Sequence, residues 1–363
     1  MKTRRVFISG GGTGGHLYPA LVLGRTLRNA DPGLEIVFVG SRRAAERRIL
    51  ATQNVRSISM SIEGLKGRGL KSFRGLALLP GAFLKSLSLL VRLRPGLVVG
   101  VGGYSSGPLV LTASWLRIPT LIMEQNVRPG FTNRMLARWV KKAVVAFDDS
   151  LPFFRGKGIR LGNPVRDEFA ALPPRRPGPG LRILIFGGSQ GSRVLNRGLA
   201  AALPALSAVR DRLAFVHQTG PADLQTVRLA YDGAGFSGAM VEPYFDDLPA
   251  RIGWADLVIA RAGATTCAEL IAAGRASILV PFAGAAEGHQ AGNAAAMAQA
   301  GGAEVLDETD LTPSRLDGAI RKLLDDPGRL TAMEQALQHL KTPAAAAHIA
   351  ALCLSMLRGG KEE

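Results

Sequence analysis

The sequence predicts an α/β protein made of two doubly wound domains. In both halves of the 363 residues, short β-branched runs alternate with longer helical patterns, which is typical of parallel sheets covered by helices. A chain of this length is long for one domain and sufficient for two, each with its own core. Between the halves, residues 172–180 (LPPRRPGPG) hold four prolines and two glycines, which favour extended and turn conformations.

The predicted strands divide the chain into two similar series. The first series comprises residues 4–9, 35–39, 97–101, 119–123 and 143–146, and the second comprises 182–186, 213–218, 239–241, 257–260 and 277–281. We therefore predict an N-terminal domain over 1–165, a linker over 166–180, a C-terminal domain over 181–340, and a helix over 341–363 that packs back towards the first domain.

Glycine-rich loops follow four of these strands. They read GGGTGG at 10–15, GGYSSG at 102–107, GGSQGS at 187–192 and RAGATT at 261–266. Ligands of doubly wound sheets bind beyond the carboxyl ends of the strands, where these loops lie. Two such sheets facing each other would form one cleft.

Charge and cysteine content narrow the protein class. The net charge of +17 lies entirely in the first half, since residues 1–171 carry +18 and residues 172–363 carry −1. Such a field suits nucleic acid, anionic lipid or an anionic substrate. The two cysteines, Cys267 and Cys353, match neither a disulfide framework nor a metal spacing, so we expect a reduced, cytoplasmic protein without a metal site. The apolar run after the basic start is too short for a signal peptide, and no stretch is long enough to span a bilayer.

Two other functions remain open at this point. Gly10, Gly12 and Gly15 satisfy G-x-G-x-x-G, the fingerprint of dinucleotide-binding enzymes. The second strand is followed by Ser41, Arg42 and Arg43 without an acid for the NAD ribose, which leaves an NADP-dependent oxidoreductase as the alternative. A non-enzymatic nucleic-acid-binding protein would explain the basic half, but basic residues are not interleaved with aromatics, so we expect no nucleic-acid partner. Neither GGGTGGH nor GGSQGSR contains the lysine of a P-loop, so no ATPase signature is present.

Seven motifs together resemble one enzyme family. GGGTGGH, GGYSSGP, EQN (124–126), TNR (132–134), GNPVR (162–166), GGSQGS and RAGATT occur in the order typical of bacterial undecaprenyldiphospho-muramoylpentapeptide β-N-acetylglucosaminyltransferases. The resemblance covers essentially the whole chain. It implies a GT-B fold, in which two Rossmann-like domains face a cleft and no metal or other cofactor is needed. It also implies inverting transfer of GlcNAc from UDP-GlcNAc to the 4-hydroxyl of MurNAc in lipid I, which gives lipid II.

Inverting transfer requires a base for the acceptor proton and donors that stabilise the departing diphosphate. We expect His16 to be the base, with Glu124 as the rival. A histidine at this position could instead only cap or pack against a helix start. For the diphosphate, the turn 261–264 feeds a predicted helix beginning near Thr265, whose N-terminal amides and dipole suit an anion.

The resemblance assigns further roles to individual side chains. It places Glu269 on the ribose hydroxyls, although T-x-x-E from Thr266 to Glu269 also fits a capping box. It places Phe245 near the uracil and Gln290 on the GlcNAc hydroxyls. The complete set of predicted substrate-binding residues is Thr13, Gly14, Gly15, Asn126, Arg166, Ser189, Phe245, Arg261, Ala264, Thr265, Thr266, Cys267, Ala268, Glu269 and Gln290. Two departures from the family pattern are Ala262, where serine is more frequent, and Arg128.

One segment predicts attachment to a membrane surface. Residues 64–94 contain seven Lys/Arg and no acid, and the apolar part, 76–93, is interrupted by Pro80 and Gly81. A surface-lying element is therefore expected, held at an anionic leaflet by roughly 1 kcal/mol at most per basic residue. This predicts a peripheral protein at the cytoplasmic face of the plasma membrane. The alternative is an ordinary core helix with basic flanks.

Overall fold

The computed structural model describes residues 4–11, 14–40, 50, 55–60 and 70–359, with only the backbone of 70–78. The chain divides into two compact units. The first unit comprises Met1–Val165 and Thr342–Glu363, and the second unit comprises Arg166–Lys341.

The first unit is built on a seven-stranded parallel sheet in the order β3-β2-β1-β4-β5-β6-β7. Val6 of β1 lies opposite Ile36 of β2 on one side and Leu97 of β4 on the other. Its elements before the second unit are β1 Arg5–Ser9, α1 Gly14–Ala30, β2 Glu35–Gly40, β3 Ser57–Ser59, α2 Leu70–Leu93, β4 Leu97–Gly100, α3 Ser106–Trp115, β5 Thr120–Glu124, α4 Phe131–Leu136, β6 Lys142–Val145 and β7 Gly158–Arg160.

The second unit contains a six-stranded parallel sheet in the order β10-β9-β8-β11-β12-β13. Its elements are α5 Asp167–Ala170, β8 Leu181–Phe186, α6 Arg193–Leu206, β9 Leu213–Gln218, α7 Leu224–Gly233, β10 Met240–Glu242, α8 Leu248–Trp254, β11 Leu257–Ala260, α9 Ala264–Ala273, β12 Ser277–Leu279, α10 His289–Gln299, β13 Ala303–Val305, α11 Pro313–Asp325 and α12 Pro327–Gln338. The chain then returns to the first unit as α13, Ala345–Arg358, which packs against α1.

Each sheet is buried on both faces, as parallel sheets require. In β1, Val6 and Ile8 belong to the apolar cluster that contains α1 and α13, whereas Phe7 between them belongs to the cluster under α3 and α4. This alternation follows from the two-residue period of a strand. Two Rossmann-like parallel-sheet domains confirm the predicted fold class.

The structure differs from the sequence interpretation at the sheet edges and in one helix. Three edge strands of three residues each, β3, β7 and β13, were not predicted. Pro80 and Gly81 do not interrupt α2, which is continuous from Leu70 to Leu93. Both residues are exposed, so water can satisfy the backbone carbonyl that the proline leaves unbonded.

The segment predicted as a linker packs within the second unit. Arg175 Nε lies 3.0 Å from Glu334 Oε1, and Arg275 Nη2 donates to the Pro173 carbonyl at 2.9 Å. Within the described residues, we find no helix long and apolar enough to cross a membrane.

Candidate active site

In the first unit, His16 lies in the first turn of α1, directly after Gly14 and Gly15. The half-buried imidazole lies against the turn that follows β4. A side chain at Gly102 would place its Cβ 2.8 Å from His16 Cδ2 and 2.9 Å from Nε2, and Gly102 has a φ of +93°. Only glycine therefore allows the imidazole this position. Thr13, also predicted to bind substrate, lies outside the described residues.

Glu124, the rival base, is a buried carboxylate with both oxygens engaged. Oε1 accepts hydrogen bonds from the backbone N–H and the Nδ2 of Asn126, both at 3.0 Å. Oε2 accepts from the backbone N–H of Gly130 at 3.0 Å and from Asn133 Nδ2 at 2.8 Å. Four N–H donors thus fix the carboxylate at the end of β5. This arrangement makes Glu124 the organiser of the loop between β5 and α4, and Asn126 is positioned by it.

Sequence reasoning did not single out Gln125, the middle residue of EQN. Its side chain is buried, and Nε2 donates to the Val101 carbonyl at 3.2 Å. Among the described residues, Oε1 has no hydrogen-bond partner, and it lies 3.7 Å from the position a Cβ would take at Gly102. Gln125 therefore faces the same turn as His16. The EQN motif was the sequence signal that could have identified Gln125.

In the second unit, α9 begins at Ala264, immediately after β11 and a three-residue turn. Gly263 is the N-cap, and the first helical bond runs from the Cys267 N–H to the Gly263 carbonyl at 2.9 Å. The amides of Ala264, Thr265 and Thr266 consequently have no carbonyl four residues earlier in the helix, and they project from its positive end. Cys267 turns its side chain into the core, where burial raises the pKa of the thiol to about 12.

The predicted capping box is not formed. Thr266 is the third residue of α9 rather than its N-cap, so Glu269 does not reach back to a Thr266 cap. Instead, the Glu269 side chain is only 9% exposed, and its Oε1 lies 3.8 Å from Arg166 Nη2. Burial raises the pKa of Glu269 to about 7, and the charge of Arg166 acts against this shift. Arg166 also stacks 4.8 Å over the ring of Phe169.

Arg261 is held by partners within the second unit. Nε donates to Ser192 Oγ at 2.9 Å, Nη1 donates to the Val280 carbonyl at 3.2 Å, and Nη2 lies 2.6 Å from Glu308 Oε1. Ser192 is the N-cap of α6, where its Oγ accepts from the Leu195 N–H. Arg261 therefore braces the GGSQGS loop, and Glu308 neutralises its charge. Ser192 and Glu308 were not among the predicted site residues.

The four remaining predicted residues of the second unit lie on two loops and in two helices. Ser189 is exposed in the loop after β8. Phe245 is buried, with Arg251 5.1 Å over its ring, and its backbone N–H donates to Gln218 Oε1 at 3.3 Å. Gln290 lies in the first turn of α10, and its Oε1 accepts from the Phe282 N–H at 2.9 Å. Ala268 is half-buried in α9.

The described parts of the chain contain His, Cys, Asp and Glu residues, the types that most often bind metal ions in proteins. Within those parts, no three His, Cys, Asp or Glu side chains come together in a way that could hold a metal ion. The positive charge available near the N-terminus of α9 comes from its helix dipole and from Arg166.

Comparison with known proteins agrees with this architecture. Residues 6–145 match the model of the glycosyltransferase family 28 N-terminal domain, and residues 182–349 match that of the C-terminal domain. Two similar proteins come from Anaeromyxobacter sp. (strain K) and Myxococcus xanthus. Each is 42% identical to this chain, over 98% and 97% of it respectively and 93% of each relative. Both are named UDP-N-acetylglucosamine--N-acetylmuramyl-(pentapeptide) pyrophosphoryl-undecaprenol N-acetylglucosamine transferase.

A similar solved structure is that of Acinetobacter baumannii MurG, with a TM-score of 0.80 and 30% identity over 97% of this chain and 99% of that one. These findings confirm the recognised family and decide against the oxidoreductase alternative. The chain belongs to the family of UDP-N-acetylglucosamine--N-acetylmuramyl-(pentapeptide) pyrophosphoryl-undecaprenol N-acetylglucosamine transferases.

Proposed function

We infer that this chain transfers GlcNAc from UDP-GlcNAc to the 4-hydroxyl of MurNAc in lipid I and so makes lipid II. The inference rests on the N-terminus of α9, which has Arg166 and the buried Glu269 beside it. The relatives named for this transfer match 98% of the chain. This end of the helix offers amides for a diphosphate and a carboxylate for hydroxyl donors.

For the donor, we assign the diphosphate to the amides of Ala264, Thr265 and Thr266, with Cys267 and Ala268 continuing the same turn. The helix dipole and Arg166 then stabilise the charge that develops on the departing UDP, which is the role a metal ion has elsewhere. Glu269 accepts from the ribose hydroxyls. The other donor contacts are the loop containing Ser189 for phosphate, the backbone at Phe245 for uracil, and Gln290 for GlcNAc.

For the acceptor, we assign His16 as the base and residues 13–15 and Asn126 as binding residues in the first unit. His16 accepts the proton of the 4-hydroxyl as its oxygen bonds to C1 of GlcNAc and the bond from C1 to the diphosphate breaks. A single displacement of this kind inverts the anomeric centre. Glu124 is a positioning residue, since its oxygens already accept four hydrogen bonds.

The transfer is tested by titrating the protein with UDP-GlcNAc and UDP-GalNAc and then measuring sugar transfer to a lipid I analogue. We expect UDP-GlcNAc to bind and to be the donor. His16→Ala should lower kcat by about 10²- to 10⁴-fold, the usual contribution of a general base, and leave the Kd of UDP-GlcNAc unchanged. Unchanged turnover in this variant would remove His16 from the base role, whereas wild type without transfer would refute the proposed reaction.

We also propose that the first unit binds an anionic membrane surface from the cytoplasmic side. Helices α2, α3 and α4 and the residues just after α3 and α4 expose a set of large apolar side chains, here called the apolar face. They are Leu84, Leu87, Val91, Trp115, Leu116, Phe131, Met135 and Trp139. Trp115, at the end of α3, connects α2 with the segment after α4, since it stacks on Phe83 at 5.8 Å and meets Trp139 edge-on at 6.3 Å. The opposite side of α2 buries Ala82 and Leu90, so this helix is both a core helix and a surface element.

Exposed cations lie close in sequence to the residues of the apolar face, which favours an anionic leaflet over another protein. They are Arg92, Arg94, Arg117, Arg134, Arg138 and Lys141. Leu84→Ser should weaken binding to anionic vesicles about tenfold, because a Leu side chain contributes roughly 1.5–3 kcal/mol on burial. The matched control is Leu229→Ser in the second unit, where the leucine is 62% exposed against 68% for Leu84. Equal loss in both variants, or binding that ignores salt and lipid charge, would contradict this attachment.

A further inference from the structure

Gln218 connects two loops of the second unit through one side-chain amide. It is the last residue of β9, which lies between β8 and β10 in the sheet, and it is only 4% exposed. Its Nε2 donates to the Gly188 carbonyl at 2.7 Å, and its Oε1 accepts from the Phe245 N–H at 3.3 Å. Gly188 belongs to the loop after β8, and Phe245 belongs to the loop after β10.

The chemistry of these two bonds specifies an amide. One loop presents an acceptor and the other presents a donor, and among side chains of this length only glutamine satisfies both at once. The loop after β8 is also seated on the residues after Gln218, since a Cβ at Gly191 would overlap the Thr219 carbonyl oxygen. The separation of the two loops is therefore set at the end of β9.

A buried polar network fixes the chain on the other face of the sheet. His217 Nε2 lies 3.1 Å from Asn196 Oδ1, and Tyr231 Oη lies 3.3 Å from His217 Nδ1. Asn196 Nδ2 donates to the Thr219 carbonyl and to Asp223 Oδ2, both at 2.8 Å, so Oδ1 is its acceptor. His217 consequently carries its proton on Nε2 and accepts from the Tyr231 hydroxyl. This network anchors His217 and the Thr219 carbonyl, the residues on either side of Gln218.

We propose that Gln218 is a positioning residue of the donor site, which sets the distance between the loop containing Ser189, assigned to phosphate, and the loop containing Phe245, assigned to the uracil. The inference rests on the proposed function, because a nucleoside diphosphate sugar is the ligand that makes these two loops parts of one site. A ligand that spans both loops requires the correct separation, whereas a ligand that contacts one loop does not. Gln218 should thus influence UDP-GlcNAc much more than uridine.

The test compares Gln218→Met, which keeps the length of the side chain and removes both polar atoms, with wild type. We expect the KM of UDP-GlcNAc to rise about tenfold or more, from the loss of two buried hydrogen bonds, with kcat changed less than about threefold. Calorimetry should give the same rise in Kd for UDP-GlcNAc and a Kd for uridine within about twofold of wild type. The matched control, Gln338→Met, alters an exposed glutamine that donates to the Glu334 carbonyl in α12, and should leave all values unchanged.

Each outcome decides the question. Unchanged KM and Kd in Gln218→Met would overturn the proposal, and so would an equal loss for uridine and UDP-GlcNAc, which would indicate a role in folding alone. If Gln218→Met does not fold, Gln218→Glu replaces it, since a carboxylate keeps the acceptor for Phe245 N–H but offers no donor to Gly188. If wild type transfers no GlcNAc but Gln218→Met loses affinity for UDP-GlcNAc and not for uridine, the proposed reaction is refuted and the positioning role is supported.

Discussion

The affinity for UDP-GlcNAc should depend on pH through Glu269. Burial raises the pKa of this carboxyl from 4.5 to about 7. Ribose hydroxyls donate more strongly to the ionised carboxylate than to the protonated acid. With a pKa near 7, the ionised fraction is roughly one tenth at pH 6 and nine tenths at pH 8. The affinity for UDP-GlcNAc should therefore rise about tenfold over this interval.

Calorimetric titration between pH 6 and 8 measures this dependence directly. UDP-GlcNAc is the appropriate ligand, because its diphosphate is esterified at both ends and keeps its charge over this range. Below pH 7, binding should release a proton, which is detected as an enthalpy that changes with the ionisation enthalpy of the buffer. Glu269→Gln removes the titrating group and should give a flat profile.

The matched control is Glu334→Gln. Burial raises the pKa of Glu334 as well, but this residue pairs with Arg175 near the C-terminal end of the second unit. Its variant should keep the wild-type profile. A flat wild-type profile, or the same slope in Glu269→Gln, would refute the assignment of Glu269 to the ribose.

The same pKa shift affects the stability of the ligand-free protein with a defined sign. Between pH 4.5 and about 7, the native state binds more protons at Glu269 than the unfolded state does. The free energy of unfolding should therefore fall as the pH rises through this window, by about 3 kcal/mol in total from this group. Bound UDP-GlcNAc, which favours the ionised form, should reduce this slope.

Three further predictions concern other buried groups. Burial lowers the pKa of His217 from 6.5 to about 3. The contribution of neutral His217 to the free energy of unfolding is therefore fully present above pH 6.5 and is lost as the pH falls. Relative to His217→Gln, denaturant titrations of wild type should show a loss of about 2 kcal/mol between pH 6.5 and 5, and parallel curves would contradict this. Glu124→Gln turns an NH₂ group towards N–H donors. In steady-state assays, the KM for lipid I should therefore rise about tenfold while the Kd of UDP-GlcNAc stays unchanged. An equal rise in both values would argue against the role of Glu124 in holding the loop. Gly162 has a φ of +88°, and a Cβ added there would overlap Thr342 Oγ1, so Gly162→Ala should lower Tm by several degrees. At Gly81, an added Cβ would meet nothing within 4 Å, so Gly81→Ala should leave Tm unchanged.

The regular part of the fold was predictable because its signals are local. Val6 to Ile8 and Leu257 to Ala260 are apolar runs that end at glycine-rich turns, so the strands and the loops beyond them follow from composition and order. The edge strands β3, β7 and β13 have only three residues each, which is too short for a periodic pattern. Helix α2 continues through Pro80 because the site is exposed, which no local pattern indicates.

The roles of several site residues depended on partners distant in sequence. T-x-x-E fits a capping box, but the N-cap is decided by where the turn after β11 ends, at Gly263. Glu124 was the rival of His16 as the base, and the loop partners that make it a positioning residue in our proposal, Gly130 and Asn133, lie 6 and 9 residues away. Gln218 carried only a weak signal, since it is a polar residue at the end of the apolar strand LAFVHQ. Its two partners lie 30 and 27 residues away.

The return of α13 to the first unit has a consequence for synthesis on the ribosome. Ile349, Ala350, Cys353 and Met356 complete the same apolar cluster as Leu23 and Leu27 of α1. This surface of α1 stays uncovered until the last helix has emerged, whereas every residue of the second unit has been made by then. The domain begun first is thus finished last, and its unfinished core leaves apolar surface exposed on the nascent chain until α13 has been made.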